Sequence, residues 1–298
     1  MGFLRFDEKV AIITGGGGGL GREYALLLAS RGAHVVVNDI GGSVKGEGTD
    51  EGPARRVVQE ILDKGGIAVE DTHSVATEDG GRAIVETALD NFGAVHIVVN
   101  NAGFLRDRAF HNLTPDQLDP VLDVHLRAAF FVTQPAWRQM REQTYGRIVN
   151  TSSNSGLIGN FGQSNYGAAK MGLVGFTRVL AIEGAKYGIR VNAVAPVART
   201  RMTEELLGAE AAERLDPAHV AKMVAYLAHE ECVASGEVFS AGGGRFARFF
   251  IGLTTGHFDP EATPDSIAEH IEEIRSTDRF FVPTDPREEL ADILDRWA

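Results

Sequence analysis

Ser153, Tyr166 and Lys170 bring a hydroxyl, a phenol and an ammonium into the single stretch from Thr151 to Lys170. Tyr166 and Lys170 are four residues apart. On a helix that spacing sets both side chains on one face, one turn apart. A phenol titrates near pH 10 and is a poor base at neutral pH. A nearby cation favours the phenolate and moves it toward general-base range. Tyr-x-x-x-Lys also fits an ordinary amphipathic surface helix, so its meaning rests on the elements that surround it.

Those elements begin with Val10 to Thr14, a β-branched apolar run that reads as a buried parallel strand. It enters the run Gly15 to Gly19, then Leu20 and Gly21. Arg22 to Arg31 reads as a helix stopped by Gly32, and His34 to Asn38 as a second strand ending at the acid Asp39. Glycines let a backbone turn tightly against a pyrophosphate, and the helix N-terminus then presents free N–H groups and a positive dipole end. Gly15, Gly19, Leu20 and Gly21 are therefore candidate cofactor contacts. The Asp39 carboxylate can accept from an adenosine ribose 2′-hydroxyl and would repel a 2′-phosphate, which predicts NAD as the cofactor. Arg22 and Asn38 lie where they could soften that preference.

The alternation continues along the chain. Ile40 to Pro53 is a Gly-rich insertion, read as a mobile loop beside the adenosine site, and a helix runs on to about Lys64. Ile67 to Val69 and His96 to Asn100 read as strands, with a helix from Thr77 to Phe92 between them. One long helix is expected from about Thr114 to Met140, and strands at Gly146 to Ser152, Arg190 to Ala195 and Val238 to Ser240. Strand–helix alternation predicts an α/β fold with a doubly wound parallel sheet and helices on both faces, with ligands at the carboxyl ends of the strands.

Bulk properties exclude other classes. The chain has 298 residues, 44% of them hydrophobic, and a net charge of −12 with a pI near 5.2. An acidic whole argues against nucleic acid as a partner, which calls for a basic footprint. No apolar run approaches the roughly 20 residues of a membrane span, and the N-terminus lacks a signal-peptide core, so no membrane association is expected. A single cysteine, Cys232, forbids an internal disulfide and fits a reducing, cytoplasmic compartment. The nine histidines show no ligand-like spacing, and no metal is expected.

Four motifs in order carry a resemblance. Thr14-Gly15-x-x-x-Gly19-x-Gly21, Asn100-Asn-Ala-Gly103, Ser153 and Tyr166-x-x-x-Lys170 resemble the short-chain dehydrogenase/reductase family over roughly residues 6 to 244. Asn100 to Arg108, Tyr145 to Ser153, Gly159 to Tyr166, Ala181 to Gly184 and Arg201 to Thr203 are similar to one subgroup within it. That subgroup comprises the (3R)-hydroxyacyl-CoA dehydrogenase domains of peroxisomal multifunctional enzyme type 2, also called 17β-hydroxysteroid dehydrogenase type 4. The chain ends before any hydratase domain of that enzyme and looks like a free-standing bacterial-type relative.

The resemblance implies a Rossmann-type fold and a residue-by-residue assignment. Tyr166 would take the substrate proton. Lys170 would favour the phenolate and hold the nicotinamide ribose, and Ser153 would hold the substrate oxygen. Asn101, Ala102 and Gly103 would line the cofactor. His125 stands where many members carry a relay Asn, implying a variant relay; a packed core histidine is the competing reading. His73-Ser74-Val75 replaces the usual adenine-contacting Asp, which leaves Ser74 and Val75 as candidates. Pro196, Val197 and Thr200 would meet the carboxamide. Met202 to Ala228 would form a mobile helical lid.

Residues 245–298 lie beyond the family pattern and read as a C-terminal extension, packed on the first domain (1–244) or on a neighbouring subunit of a homodimer or homotetramer. Acidic amphipathic helices are expected over Ile267 to Ile274 and Glu288 to Trp297. Arg245 and Arg248 are candidate contacts for CoA phosphates. The expected activity is NAD-dependent oxidation of a secondary alcohol, a 3-hydroxyacyl-CoA or a 17β-hydroxysteroid. Its rivals are a dehydrogenase or reductase of another secondary alcohol and a non-catalytic NAD sensor.

Overall fold

In the computed structural model, residues 4–42, 47–48, 52–199 and 214–297 are described. Seven strands alternate with helices in the order β1 (Val10–Thr14), α1 (Gly19–Ser30), β2 (His34–Asn38), α2 (Gly52–Asp63), β3 (Ile67–Asp71), α3 (Glu78–Phe92), β4 (Ile97–Asn100), α4 (Pro115–Leu122), α5 (Ala128–Glu142), β5 (Gly146–Thr151), α6 (Asn154–Leu157), α7 (Ser164–Gly184), β6 (Ile189–Pro196), α8 (Ala218–Ala228) and β7 (Val238–Gly242). The sheet order is β3-β2-β1-β4-β5-β6-β7, closed at one edge by β8 (Arg245–Phe249). Pairings from β3 through β7 are all parallel. The order reverses direction between β1 and β4, which opens the crevice at their carboxyl ends.

Strand periodicity builds the two faces. Ala11, Ile13, Val35, Val37, Ile97 and Val99 pack toward Leu28 of α1, Val57 and Ile61 of α2 and Val224 of α8. The alternate residues Val10, Ile12, Val36, Val98 and Ile148 pack toward Ile84 of α3, Val132 and Met140 of α5 and Ala181 of α7. Burying each such side chain stabilises the fold by about 1.5–3 kcal/mol, so a strand that is apolar on both faces has no alternative to the middle of the sheet.

The helix expected over Thr114 to Met140 is interrupted. Thr114 caps α4 through a capping box with Gln117. Pro120 lies inside α4 and has no N–H to give the Asp116 carbonyl. That carbonyl accepts from Arg106 Nη1 at 2.5 Å instead. A π-turn over Asp123–Arg127 follows before α5 resumes, and its extra residue turns His125 into the interior.

The expected lid is corrected in its second half. Residues 201–213 lie outside the described residues, as does Thr200. α8 is a core helix whose Val220, Ala221, Val224, Leu227 and Ala228 are buried, because small apolar residues recur at helical spacing and fit closely against α1. Most of the Gly-rich insertion, residues 43–46 and 49–51, is also outside the described residues.

Clustering of contacts divides the chain into Met1–Arg248 and Phe249–Ala298. The first unit reaches past Gly244 because β8 joins the sheet. Gly243 and Gly244 connect β7 to β8 with φ of 56° and 80°. Two positive-φ residues in succession are the signature of a tight hairpin, so this edge strand runs back antiparallel. The second unit carries the ribbon β9 (Leu253–Thr254) and β10 (Phe280–Phe281) and the short helices α9 (Pro264–Glu269), α10 (Ile271–Arg275) and α11 (Pro286–Asp295). The helix expected over Ile267 to Ile274 is thus two, parted at His270. His257 and His270 stack at 3.7 Å and share Glu273 Oε2 at 3.1 and 3.2 Å, a grouping their sequence spacing does not signal.

Candidate active site

The cofactor side is built on Thr14, the last residue of β1. Its Oγ1 donates to the Val99 carbonyl at 3.3 Å and accepts from the N–H groups of Asn101 and Ala102 at 2.9 and 3.1 Å. Asn101 Nδ2 donates to the carbonyls of Thr14 and Gly15 at 3.0 and 3.2 Å. Asn101 therefore locks β4 to the glycine loop rather than simply lining the cofactor, and Thr14 is a positioning residue that motif matching alone assigns no role. A Cβ on Gly21 would lie 2.1 Å from the Gly15 carbonyl oxygen, so only glycine lets α1 start this close beneath the loop. α1 has no side-chain cap and no acid in its first turn. Its N-terminal N–H groups remain available to an anion.

Asp39 closes the edge of this loop. Its Oδ2 accepts from Gly17 N–H at 2.9 Å and its Oδ1 from Gly41 N–H at 2.7 Å. The two neighbours that could offset its charge are both engaged. Arg22 binds Glu23 and Glu60, and buried Asn38 donates to Asp71 and to the His73 carbonyl. Asp71 ends β3, but it is buried and also accepts from His73 and Thr87, so it serves as a tie. Ser74 Oγ accepts from Ala76 N–H at 3.3 Å, and Val75 is buried against the second core cluster. An uncapped helix start, a glycine that a side chain would displace and a carboxylate at the loop edge together fit a dinucleotide.

The acid–base side chains come from β5, α6 and α7. Ser153 caps α6, accepting from Ser155 N–H at 3.1 Å and donating to Asn154 Oδ1 at 3.3 Å. Buried Lys170 sits one turn along α7 from half-buried Tyr166, with Nζ 5.4 Å from the Tyr166 ring centre. Nζ donates to the Thr151 carbonyl at 2.6 Å. Burial pushes the Tyr166 phenol up, opposed by the Ser153 hydroxyl. Burial also pushes Lys170 down to about 7. For both groups desolvation is the largest cause, and at Tyr166 the nearby Asp107 charge adds to the rise.

His125 enters the same pocket from the π-turn. Its Nε2 lies 2.8 Å from the Phe104 carbonyl oxygen, and its ring meets the Tyr166 ring edge-on at 5.0 Å. Burial, then the Lys170 charge, holds it well below the ordinary histidine range, so it is neutral. The same Nε2 lies 3.2 Å from the Phe104 backbone nitrogen, so both polar groups of the Phe104 backbone face it, while Nδ1 is buried without a partner among the described residues. His125 and Lys170 line one small cavity with Thr14, Asn100 and Val124.

Beyond Gly103, the segment from Arg106 to Arg108 is sewn to the start of α7. Arg108 N–H donates to the Gly162 carbonyl at 2.7 Å, Gln163 Nε2 to Asp107 at 2.7 Å, and Asn165 Nδ2 to the carbonyls of Arg106 and Gln117 at 2.9 and 2.8 Å. Asn165 Oδ1 in turn accepts from Tyr166 N–H at 2.8 Å. The only sequence signal was that these strings matched the subgroup. At the far side of the crevice Pro196 ends β6, and Val197 gives its N–H to Ala241 at 2.8 Å, which leaves its carbonyl for any ligand contact. Ser153, Tyr166, Lys170 and His125 thus gather at the carboxyl ends of the central strands, next to the loop that holds Gly15 to Gly21.

Comparison with known proteins agrees with this geometry. The family model described as "short chain dehydrogenase" matches residues 9–211. A short-chain type dehydrogenase/reductase of Mycobacterium tuberculosis is 53% identical over 90% of this chain and 94% of its own. A hydroxyacyl-CoA dehydrogenase of the same organism is 36% identical over 95% and 92%. The structure of full-length peroxisomal multifunctional enzyme type 2 from Drosophila melanogaster superposes with a TM-score of 0.83 and 36% identity, covering 98% of this chain and half of that one. The chain is an oxidoreductase that belongs to the short-chain dehydrogenase/reductase family.

Proposed function

We propose that this protein oxidises the 3-hydroxyl of a 3-hydroxyacyl-CoA with NAD. The observation that carries the reading is the meeting of Ser153, Tyr166, Lys170 and neutral His125 beside a loop edged by the unopposed carboxylate of Asp39. The name of the Mycobacterium hydroxyacyl-CoA dehydrogenase supports the substrate class. Engagement of Arg22 and Asn38 elsewhere supports NAD over NADP.

The bound nicotinamide supplies the hydride acceptor; the chain supplies position and proton transfer. Ser153 holds the substrate oxygen at Tyr166. Tyr166 takes the hydroxyl proton as the C–H bond gives up its hydride. Lys170, fixed by the Thr151 carbonyl, stabilises the phenolate once the site fills. His125 Nδ1 lies across the small cavity from Lys170 and can accept the proton onward, through a water that a polar cavity of this kind holds.

The test is a panel of 3-hydroxyacyl-CoA esters, a 17β-hydroxysteroid and simple secondary alcohols, each with NAD and with NADP. The expected result is the highest kcat/KM for an acyl-CoA with NAD. Replacing Tyr166 with Phe should lower kcat by about 10²–10⁴ and leave NAD binding in place. A preference for NADP would remove the role given to Asp39, and turnover retained by Tyr166→Phe would remove the mechanism.

A further inference from the structure

Arg108 and the aromatic residues around it are left without a task by the catalytic assembly. The Arg108 backbone is hydrogen-bonded to Gly162, four residues before Tyr166. Phe110 follows on one strand of this seam and Phe161 precedes Gly162 on the other, and they are 79% and 88% exposed. Ile158, on the same loop as Phe161, is 74% exposed. Three large apolar side chains this open, on two loops joined beside a site, mark a ligand-binding surface rather than random surface composition.

The charge beside them is also unusual. The chain carries 41 acidic and 29 basic Lys and Arg residues, and several of its arginines are paired with carboxylates, among them Arg5, Arg22, Arg82, Arg127 and Arg287. Among the described residues, the exposed Arg108 guanidinium has no carboxylate and no hydrogen-bond partner. Its neighbour Asp107 is held by Gln163. The two arginines that composition alone put forward are engaged: Arg248 pairs with Glu237 at 3.4 Å, and Arg245 reaches Ser240 at 3.5 Å.

Resting on the substrate class argued above, we propose that Arg108 binds a phosphate of the substrate's carrier arm, while Phe110 and Phe161 cover the apolar stretch between that phosphate and the reacting carbon. A guanidinium suits this task because its planar fork matches phosphate oxygens in pairs. The seam to Gly162 fixes its distance from Tyr166, so the contact can act as a ruler between phosphate and carbinol.

The experiment compares one 3-hydroxyacyl group carried on CoA with the same group on N-acetylcysteamine, which lacks the phosphates, in the full-length protein and in Arg108→Ala and Arg108→Lys. For Arg108→Ala the ratio of KM on CoA to KM on N-acetylcysteamine should rise about five- to tenfold, the order expected of one charge-assisted contact. Arg108→Lys should recover part of it, and the salt dependence of KM on the CoA ester should weaken in Arg108→Ala. Turnover of both thioesters with an unchanged ratio overturns this inference and leaves the proposed function standing. No turnover of either thioester by the unsubstituted protein overturns both.

Discussion

At the scale of single residues, Lys170 is the group whose chemistry and stability conflict. Its ammonium is buried against one carbonyl, and burial pushes it down to about 7 from the ordinary lysine value of about 10.5. Between those two values the unfolded chain binds more protons than the folded one, so stability rises with pH across that window. Below pH 7 the cost of the buried charge is present in full. The ligand-free protein should therefore gain about 2 kcal/mol of stability from pH 7 to pH 9 that Lys170→Met does not gain. Parallel denaturation midpoints for the two proteins across that range would show that Lys170 is not the cause. Tyr166 is displaced in the opposite sense, upward. Its base function should strengthen toward alkaline pH.

At the scale of elements, the π-turn decides what His125 can do. In an unbroken helix one residue fewer separates α4 from α5, and a side chain at that position would face elsewhere. The loop after β4 is fitted against the ring that the turn presents: a Cβ on Gly103 would lie 2.2 Å from His125 Cε1. Gly103 lacks a positive φ, so the effect of adding a methyl is steric alone. Gly103→Ala should displace the ring, break its bond to Phe104 and lower stability by about 1–3 kcal/mol. A fall in kcat should accompany the loss if His125 takes part in the relay. Thermal unfolding and kinetics of this variant measure the two effects separately, and an unchanged kcat with lowered stability would assign His125 to packing.

At the scale of the molecule, the sheet separates chemistry from support. Ser153 follows the carboxyl end of β5, while Arg147 lies at the other end and is buried. Arg147 donates to the carbonyls of Gly146, Gly188, His229 and Glu230, tying β5 to the turns before β6 and after α8. It works as a donor hub for four carbonyls, of which that of His229 also accepts from Cys232 N–H. Arg147→Met should cost about 3 kcal/mol, since each buried acceptor left without a donor costs roughly 1–3 kcal/mol. The site lies some 15–20 Å along the strand by the usual rise per residue, so KM should shift less than twofold. Chemical denaturation and steady-state kinetics on the same preparation check both, and a large KM change with little destabilisation would contradict the division.

What the sequence determined by itself was whatever depends on near neighbours. The alternating strands, the glycine loop, Asp39 at the end of β2 and the helical spacing of Tyr166 and Lys170 are all legible there, because strand and helix periods act over a few residues. Tertiary structure decided the rest. Pro120 and Arg106 shape α4 ahead of the π-turn, and the turn, not the residue type, brings His125 to Tyr166. α8 is core rather than lid because α1 and the sheet cover it. Thr14 holds Asn101 from 87 residues away, and Asn165 holds Arg106 from 59. The proton affinities of Tyr166 and Lys170 follow from burial, which is set by every element packed around the crevice and has no signature in local order.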